Sequence, residues 1–142
     1  MKRKSPVWHP FTQHATAPEP IHVDRAEGAY LNAGKRRIFD GISSWWVVTH
    51  GHCHPHIVAA IQAQAAKLDQ VIFAGHTHAP AEALAAKLAK LTGLDHVFFS
   101  DSGSTAVEVA LKMALGYWRH RDRTGTPRSR LLALDHGYHG DT

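Results

Sequence analysis

The run Phe98-Phe99-Ser100-Asp101-Ser102-Gly103-Ser104-Thr105-Ala106-Val107-Glu108 holds the residues best suited to chemistry in this chain. An apolar strand pattern, Val97 to Phe99, enters a small polar turn that opens directly into a helical pattern. Gly103 has no Cβ, so backbone and ligand can approach closely there. Ser102, Ser104 and Thr105 add hydroxyls, and the first helical turn leaves N–H donors unpaired at its positive end. Such groups hold a phosphate. The same residues also suit an ordinary strand-to-helix turn in which the serines only cap, and the turn alone leaves both readings open. It has neither the Gly-Lys-Ser/Thr of a P-loop nor the Gly-x-Gly-x-x-Gly of a dinucleotide site. Thr105-x-x-Glu108 fits a capping box, which predicts a helix start at Thr105.

A second cluster, His50-Gly51-His52-Cys53-His54-Pro55-His56, puts four imidazoles and a thiol within seven residues. Imidazole and thiolate suit zinc or copper. The spacing matches no zinc-finger pattern, and although His76 and His78 could join the cluster, nothing in the spacing requires it. The favoured reading is a polar loop entering a helix at Pro55, with some histidines capping or hydrogen-bonding locally and no metal expected. A small His-rich metal-binding protein remains the alternative from a different class.

The elements that must position these residues follow from the hydrophobic pattern. Up to about residue 27, Pro6, Pro10, Pro18 and Pro20 predict an irregular, extended arm. Its Trp8 and Phe11 are large apolar groups that should lie against something. Ala29-Tyr30-Leu31 and Arg37-Ile38-Phe39 predict a β-hairpin with Gly34 in its turn. Pro55 opens a predicted helix to about Leu68, striped by Ile57, Val58, Ile61, Ala65 and Leu68. Leu84, Leu88 and Leu91 mark a second helix, from about Pro80 to Leu91, with Gly93 as its stop. A strand His96–Phe99 and a helix from about Thr105 to Arg119 come next, the helix turning Val107, Leu111, Leu115 and Trp118 inward. Leu131-Leu132-Ala133-Leu134 suits a buried parallel strand.

The second half therefore reads as a βαβ crossover in a parallel sheet. Ligands bind outside the carboxyl ends of such strands, where the Asp101–Thr105 turn and the segment 136–142 both emerge. Two parallel strands are too few for a stable sheet, so the pattern reads as part of a larger fold.

Composition narrows the class. Of the 142 residues, 44% are hydrophobic and 20% charged, which indicates a soluble globular protein with enough length for one core. The basic start, Met1 to Pro6, is followed by no apolar segment, so no secretion signal is expected, and no run is long enough to cross a membrane. Cys53 alone allows no internal disulfide and fits a reducing cytoplasm. The formal charge of +4 raises a nucleic-acid reading. However, Arg119, Arg121, Arg123, Arg128 and Arg130 crowd at one helix end, where cations suit the dipole, and no nucleic-acid motif accompanies them.

Several motifs stand in one order: Trp8-His9-Pro10-Phe11-Thr12, Asp40-Gly41-Ile42-Ser43-Ser44-Trp45-Trp46, and His50-Gly51-His52. After them come His76-Thr77-His78-Ala79-Pro80, Asp101-Ser102-Gly103-Ser104 with Ala106-Val107-Glu108, and Gly137-Tyr138-His139-Gly140-Asp141-Thr142. Together, from about Trp8 to Thr142, they closely resemble the adenosylmethionine–8-amino-7-oxononanoate aminotransferases of biotin synthesis. These form a subgroup of the class III aminotransferases, which use pyridoxal 5′-phosphate (PLP). The resemblance implies an α/β fold: the amino-terminal part of a fold-type I PLP-dependent transferase, with a mostly parallel sheet and flanking helices, truncated at well under half its length. It implies an amino-terminal arm and hairpin of a small-domain segment over residues 1–54, and the start of the large PLP-binding domain over 55–142.

The resemblance also implies roles. Gly103 and Ser104, with Ser102 and Thr105, bind the PLP phosphate; Tyr138 stacks on the pyridine ring and borders the substrate; Trp45, and second to it Trp46, line the substrate pocket. Phe11 stands where the family often has a tyrosine, keeping the ring and losing the hydroxyl, which bears on the choice of amino donor between S-adenosylmethionine and another such as lysine. The implied reaction moves an amino group from S-adenosylmethionine to 8-amino-7-oxononanoate, in a cytoplasmic homodimer acting on small molecules, with neither nucleic acid nor membrane as partner. Another class III ω-aminotransferase is the alternative within the class. In the family the Schiff-base lysine comes later than this chain extends, and none of Lys2, Lys4, Lys35, Lys67, Lys87, Lys90 or Lys112 suits the role. No catalytic residue is therefore expected here, and the 142 residues alone are expected to be inactive.

Overall fold

The computed structural model describes residues 5–121, 125 and 128–142. They divide into two compact units, Met1–Val71 and Ile72–Thr142.

The first unit is organised by a three-stranded antiparallel sheet in the order β1 (Arg25–Glu27), β2 (Tyr30–Ala33) and β3 (Arg36–Phe39). Tyr30 pairs with Phe39 and Leu31 with Ile38, which puts the hairpin where the alternating pattern predicts it. Gly34 turns it with φ +58, a left-handed conformation that glycine adopts without a Cβ penalty, and the Asp24 carboxylate accepts its N–H at 2.6 Å. Tyr30 and Phe39 rings meet edge-on at 5.7 Å, and the Arg37 guanidinium lies 3.7 Å over the Tyr30 ring. The expected arm is corrected at its end: Arg25–Glu27 is a strand, paired to β2. The last proline of the arm is Pro20, so every N–H from Arg25 onward is free to join a ladder.

Beyond the sheet, α1 (Ser43–Trp46) is a single turn, and α2 (Pro55–Lys67) begins with Pro55 in its first turn and ends at Leu68, where the backbone is extended. In the second unit α3 (Ala79–Thr92) is capped by His78, whose ring accepts the Ala81 N–H at 3.2 Å. Gly93 closes it in the left-handed conformation, φ 72, as its position predicts. The long α4 (Gly103–Arg121) follows. Its end carries Arg119, His120 and Arg121; Arg121 donates to the Tyr117 hydroxyl at 2.6 Å, and Arg128 lies 3.9 Å over the Trp118 ring. Arg123 of the expected basic cluster lies outside the described residues.

Two expected strands are corrected. His96–Phe99 and Leu131–Leu134 carry no ladder, so among the described residues the antiparallel sheet is the only one. A strand exists only where a neighbouring backbone pairs with it, and no described backbone is offered to these two. The expected core is absent for the same reason. No described residue is buried; Leu132 and Leu134 are exposed, and the helical stripe of Val107 and Leu111 is more than a third exposed. The chain of 15.6 kDa exposes 13238 Å². Two separate folded domains of half that mass would expose only about 8,700 Å². Among the described residues the helices present apolar stripes that no sheet covers.

Candidate functional site

The first site lies at the N-terminus of α4. The helix starts two residues before the expected Thr105, and the cap is Ser102. Its Oγ accepts the Thr105 N–H at 3.2 Å, its C=O accepts the Ala106 N–H at 3.0 Å, and its own N–H donates to Thr105 Oγ1 at 3.1 Å. That reciprocal exchange is a capping box built from Ser102 and Thr105, and it replaces the one expected from Thr105 and Glu108. Glu108 instead pairs with Lys112 one turn on and accepts the Thr142 hydroxyl at 2.8 Å, and both bonds hold its carboxyl below its ordinary range. The Thr105 hydroxyl donates to the Asp101 carboxylate at 2.7 Å and lowers the carboxyl's pKa. Ser102 and Thr105 are thus bonded within the turn. Gly103 and Ser104 are the next two helix positions, and no described acceptor takes their N–H groups. A Cβ placed on Gly103 would meet nothing within 4 Å, so the side-chain position there is open.

The end of the tail, Tyr138 to Thr142, meets this turn, although no described parallel sheet edge brings them there. The Ser104 hydroxyl lies 3.4 Å from the Tyr138 hydroxyl and 3.3 Å from the Asp141 carboxylate, which also accepts from Tyr138 at 3.0 Å. The Asp141 N–H donates to Ser104 Oγ at 3.3 Å. Gly140 makes the approach feasible: φ is +109, and a Cβ there would stand 2.8 Å from the Ser104 Cα. Asp141 and Gly140 stand in the motif over 137–142, but the motif by itself assigns them no role. The signal was their place after Tyr138 on a segment already expected to face the turn.

The second group belongs to the first unit. Ser43, Ser44, Trp45 and Trp46 all have positive φ, between 44° and 67°. The Trp46 and Val47 N–H groups still close helical bonds to Ile42 and Ser43, so α1 is one turn of left-handed helix. Each L-residue in that sense costs about 1–2 kcal/mol. Trp45 stacks on Phe11 with rings 5.8 Å apart and 12° between planes, and lies 6.2 Å from the Trp46 ring. The two indoles are otherwise open, 64% and 79% exposed. The turn is held by Asp40, whose carboxylate accepts the Ser44 N–H at 3.0 Å, the Ser44 hydroxyl at 2.7 Å and His52 Nε2 at 2.7 Å. The Ser44 N–H first, and then the His52 and Ser44 side chains, hold the Asp40 carboxyl down at about 2.

The structure brings Ser102, Gly103, Ser104, Thr105 and Tyr138 together in one unit, and Phe11, Trp45 and Trp46 in the other. The histidine cluster is dispersed over separate tasks: His52 bonds Asp40, and His50 meets the Thr49 hydroxyl at 3.0 Å. Among the described residues no three His, Cys, Asp or Glu side chains are grouped to hold a metal ion.

A solved adenosylmethionine-8-amino-7-oxononanoate aminotransferase from Methanocaldococcus jannaschii superposes with a TM-score of 0.88 at 35% identity, over 98% of this chain and 32% of that one. An amine transaminase from an uncultivated Pseudomonas species, in its PLP-bound form, gives 0.83 at 34% identity over 99% and 33%. The fold is that of the PLP-dependent aminotransferases. The aminotransferase class-III family matches residues 11–142, and this chain belongs to that family. Among curated relatives, an enzyme of Synechococcus elongatus named adenosylmethionine-8-amino-7-oxononanoate aminotransferase is 57% identical over 139 residues, 96% of this chain and 32% of its own length. One of the same name from Mycobacterium leprae is 43% identical over 145 residues, 96% and 33%. The chain spans about a third of the length of the curated relatives it matches.

Proposed function

We propose that this chain is the amino-terminal portion of an enzyme that moves an amino group from S-adenosylmethionine to 8-amino-7-oxononanoate, giving 7,8-diaminononanoate for biotin synthesis. The observation that carries the reading is the 57% identity to a relative of that name, over 96% of this chain.

The cofactor proposed is pyridoxal 5′-phosphate. When bound, it takes up the negative charge that develops on the carbon bearing the amino group. The residues at α4 fit its phosphate. Gly103 and Ser104 offer two free N–H donors at the positive end of a 19-residue helix, and nothing lies within 4 Å of the position a Gly103 Cβ would take. Ser102 and Thr105 hold that turn in shape, and the Ser104 hydroxyl is the side-chain donor beside it. An anion there would compete with Asp141 for the Ser104 hydrogen. Tyr138, tied to the same hydroxyl, offers its ring as the platform for the pyridine. Trp45 and Trp46 face the substrate, and Phe11 supports Trp45 by stacking without contributing a hydroxyl.

The lysine that bonds the cofactor has no candidate here. Lys35 lies in the hairpin turn, Lys67, Lys87 and Lys90 on helices, and Lys112 in an ion pair with Glu108, while Lys2 and Lys4 lie outside the described residues. The purified 142-residue chain with added PLP is therefore expected to form no diaminononanoate above a no-protein control. The intact protein is expected to turn over with S-adenosylmethionine in preference to lysine or a simple amine. Turnover with the amine alone would favour the second reading, another class III ω-aminotransferase, which the likeness to the Pseudomonas amine transaminase supports. A homodimer in the cytoplasm completes the proposal, to be checked by sedimentation and by cell fractionation.

A further inference from the structure

We propose that Asp40 and His52 form a clamp that holds the left-handed Ser43–Trp46 turn and so sets the orientation of the tryptophan pair toward substrate. The inference rests on the reading that Trp45 and Trp46 face the substrate.

Three hydrogen-bond donors converge on one carboxylate: the Ser44 N–H, the Ser44 hydroxyl and His52 Nε2. An ionised carboxylate only accepts, so Nε2 carries the proton in this bond. The pair is shielded, with the Asp40 side chain 5% exposed and that of His52 14%. In a chain where no described residue is fully buried, this is a rare withdrawal of a polar pair from solvent.

His52 is itself anchored. Its N–H donates to the Gly28 C=O at 2.7 Å and its C=O accepts the Gly28 N–H at 3.1 Å, tying it to the loop between β1 and β2. Gly51, with φ +85, lets the strands of this bridge meet, since a Cβ there would stand 3.2 Å from the Gly28 Cα. The Asp40 N–H donates to the Ala29 C=O at 2.9 Å. A continuous set of bonds therefore runs from the sheet through His52 and Asp40 to Ser44, one residue before Trp45.

Packing cannot supply this control. Both indoles are mostly exposed, and the Trp45 ring touches only Phe11 and Trp46 among the aromatic contacts. Four consecutive residues held at positive φ relax when their restraint is removed, and among the described residues the only side-chain hydrogen bonds to them come from Asp40. Asp40 and His52 are positioning residues acting through Ser44; neither need touch the reacting atoms.

The test uses the intact protein with Asp40→Asn, Ser44→Ala, His52→Phe and His52→Gln. Asparagine puts an amide N–H where two donors already point, alanine removes one donor, and phenylalanine removes the imidazole donor while keeping bulk. Glutamine restores an N–H near Nε2. The first three are expected to alter the near-ultraviolet circular dichroism assigned to the pair with a Trp45→Phe reference. They are also expected to raise KM for the amino acceptor by about tenfold, with kcat changed less and cofactor retention intact. His52→Gln should return both readouts to within about threefold of the parent. An unchanged indole signal in Ser44→Ala and His52→Phe overturns the clamp, as does equal loss in the phenylalanine and glutamine variants. Absence of turnover in the unmutated protein would instead overturn the transaminase reading, and the indole signal alone would still decide the clamp.

Discussion

Among the described residues Asp40 is the most heavily bonded carboxylate, and its behaviour with pH can be stated with a sign. The ordinary value for such a group is 3.8, and here it is depressed to about 2 by the bonds from Ser44 and His52. A depressed carboxyl stabilises the fold above its unfolded value, and the stabilisation fades as pH falls through its folded value. The left-handed turn should accordingly hold at pH 5 and above and loosen between about pH 4 and 2. Carbon-13 titration of the Asp40 carboxyl should give a midpoint near 2, and a midpoint near 3.8 would contradict the bonding described. Ser104 makes a different case, because its hydroxyl ties Tyr138 and Asp141 to the start of α4. Ser104→Ala is expected to weaken PLP retention by the intact protein by about three- to tenfold, as one hydrogen bond is worth about 0.5–1.5 kcal/mol net. Equilibrium dialysis measures it, and unchanged retention would leave the backbone N–H groups as the whole phosphate grip.

Glycines at element ends separate two kinds of cost. Gly93 ends α3 at φ 72 with open space around it, so Gly93→Ala meets only the conformational penalty, about 1 kcal/mol. Faster hydrogen exchange confined to the last turn of α3 would show it. Gly140 has φ +109 and faces the Ser104 backbone at a distance no Cβ tolerates. Gly140→Ala should therefore part the tail from α4, breaking the Ser104, Tyr138 and Asp141 bonds together, and nuclear Overhauser contacts between Tyr138 and Ser104 should vanish. Most elements were legible beforehand because their signals are local. Pro55 and Gly93 mark helix ends through φ and a missing N–H, and the hairpin shows in alternation around Gly34. The strand Arg25–Glu27 was missed because three residues of mixed polarity carry no period until β2 pairs with them. Thr105-x-x-Glu108 misled in the opposite way: the match was real, but Ser102 captured the cap, and Glu108 was drawn to Lys112 and Thr142.

Taken whole, the two units bury nothing fully among their described residues, and their exposed apolar groups include Leu132, Leu134 and Trp46. Burial is the main favourable term in folding, so a polypeptide of these 142 residues alone should lack a sharp unfolding transition and should bind a hydrophobic dye. A cooperative melt with no dye binding would overturn that expectation. The segments His96–Phe99 and Leu131–Leu134 have the right composition for strands but pair with no described backbone, since a ladder is a property of two stretches of backbone and not of one.

The order of motifs from Trp8 to Thr142, the helix ends and the hairpin are local matters, settled by residue type, and so the family could be read from them directly. What needed three dimensions was every feature in which distant residues restrain one another. The left-handed sense of Ser43–Trp46 is visible in no propensity, because it exists only while Asp40 and His52 hold it. The meeting of Ser104 with Tyr138 and Asp141 depends on Gly140 leaving room. Such features balance local strain against hydrogen bonds from elsewhere in the chain, and that balance appears only once the backbone has brought the partners together.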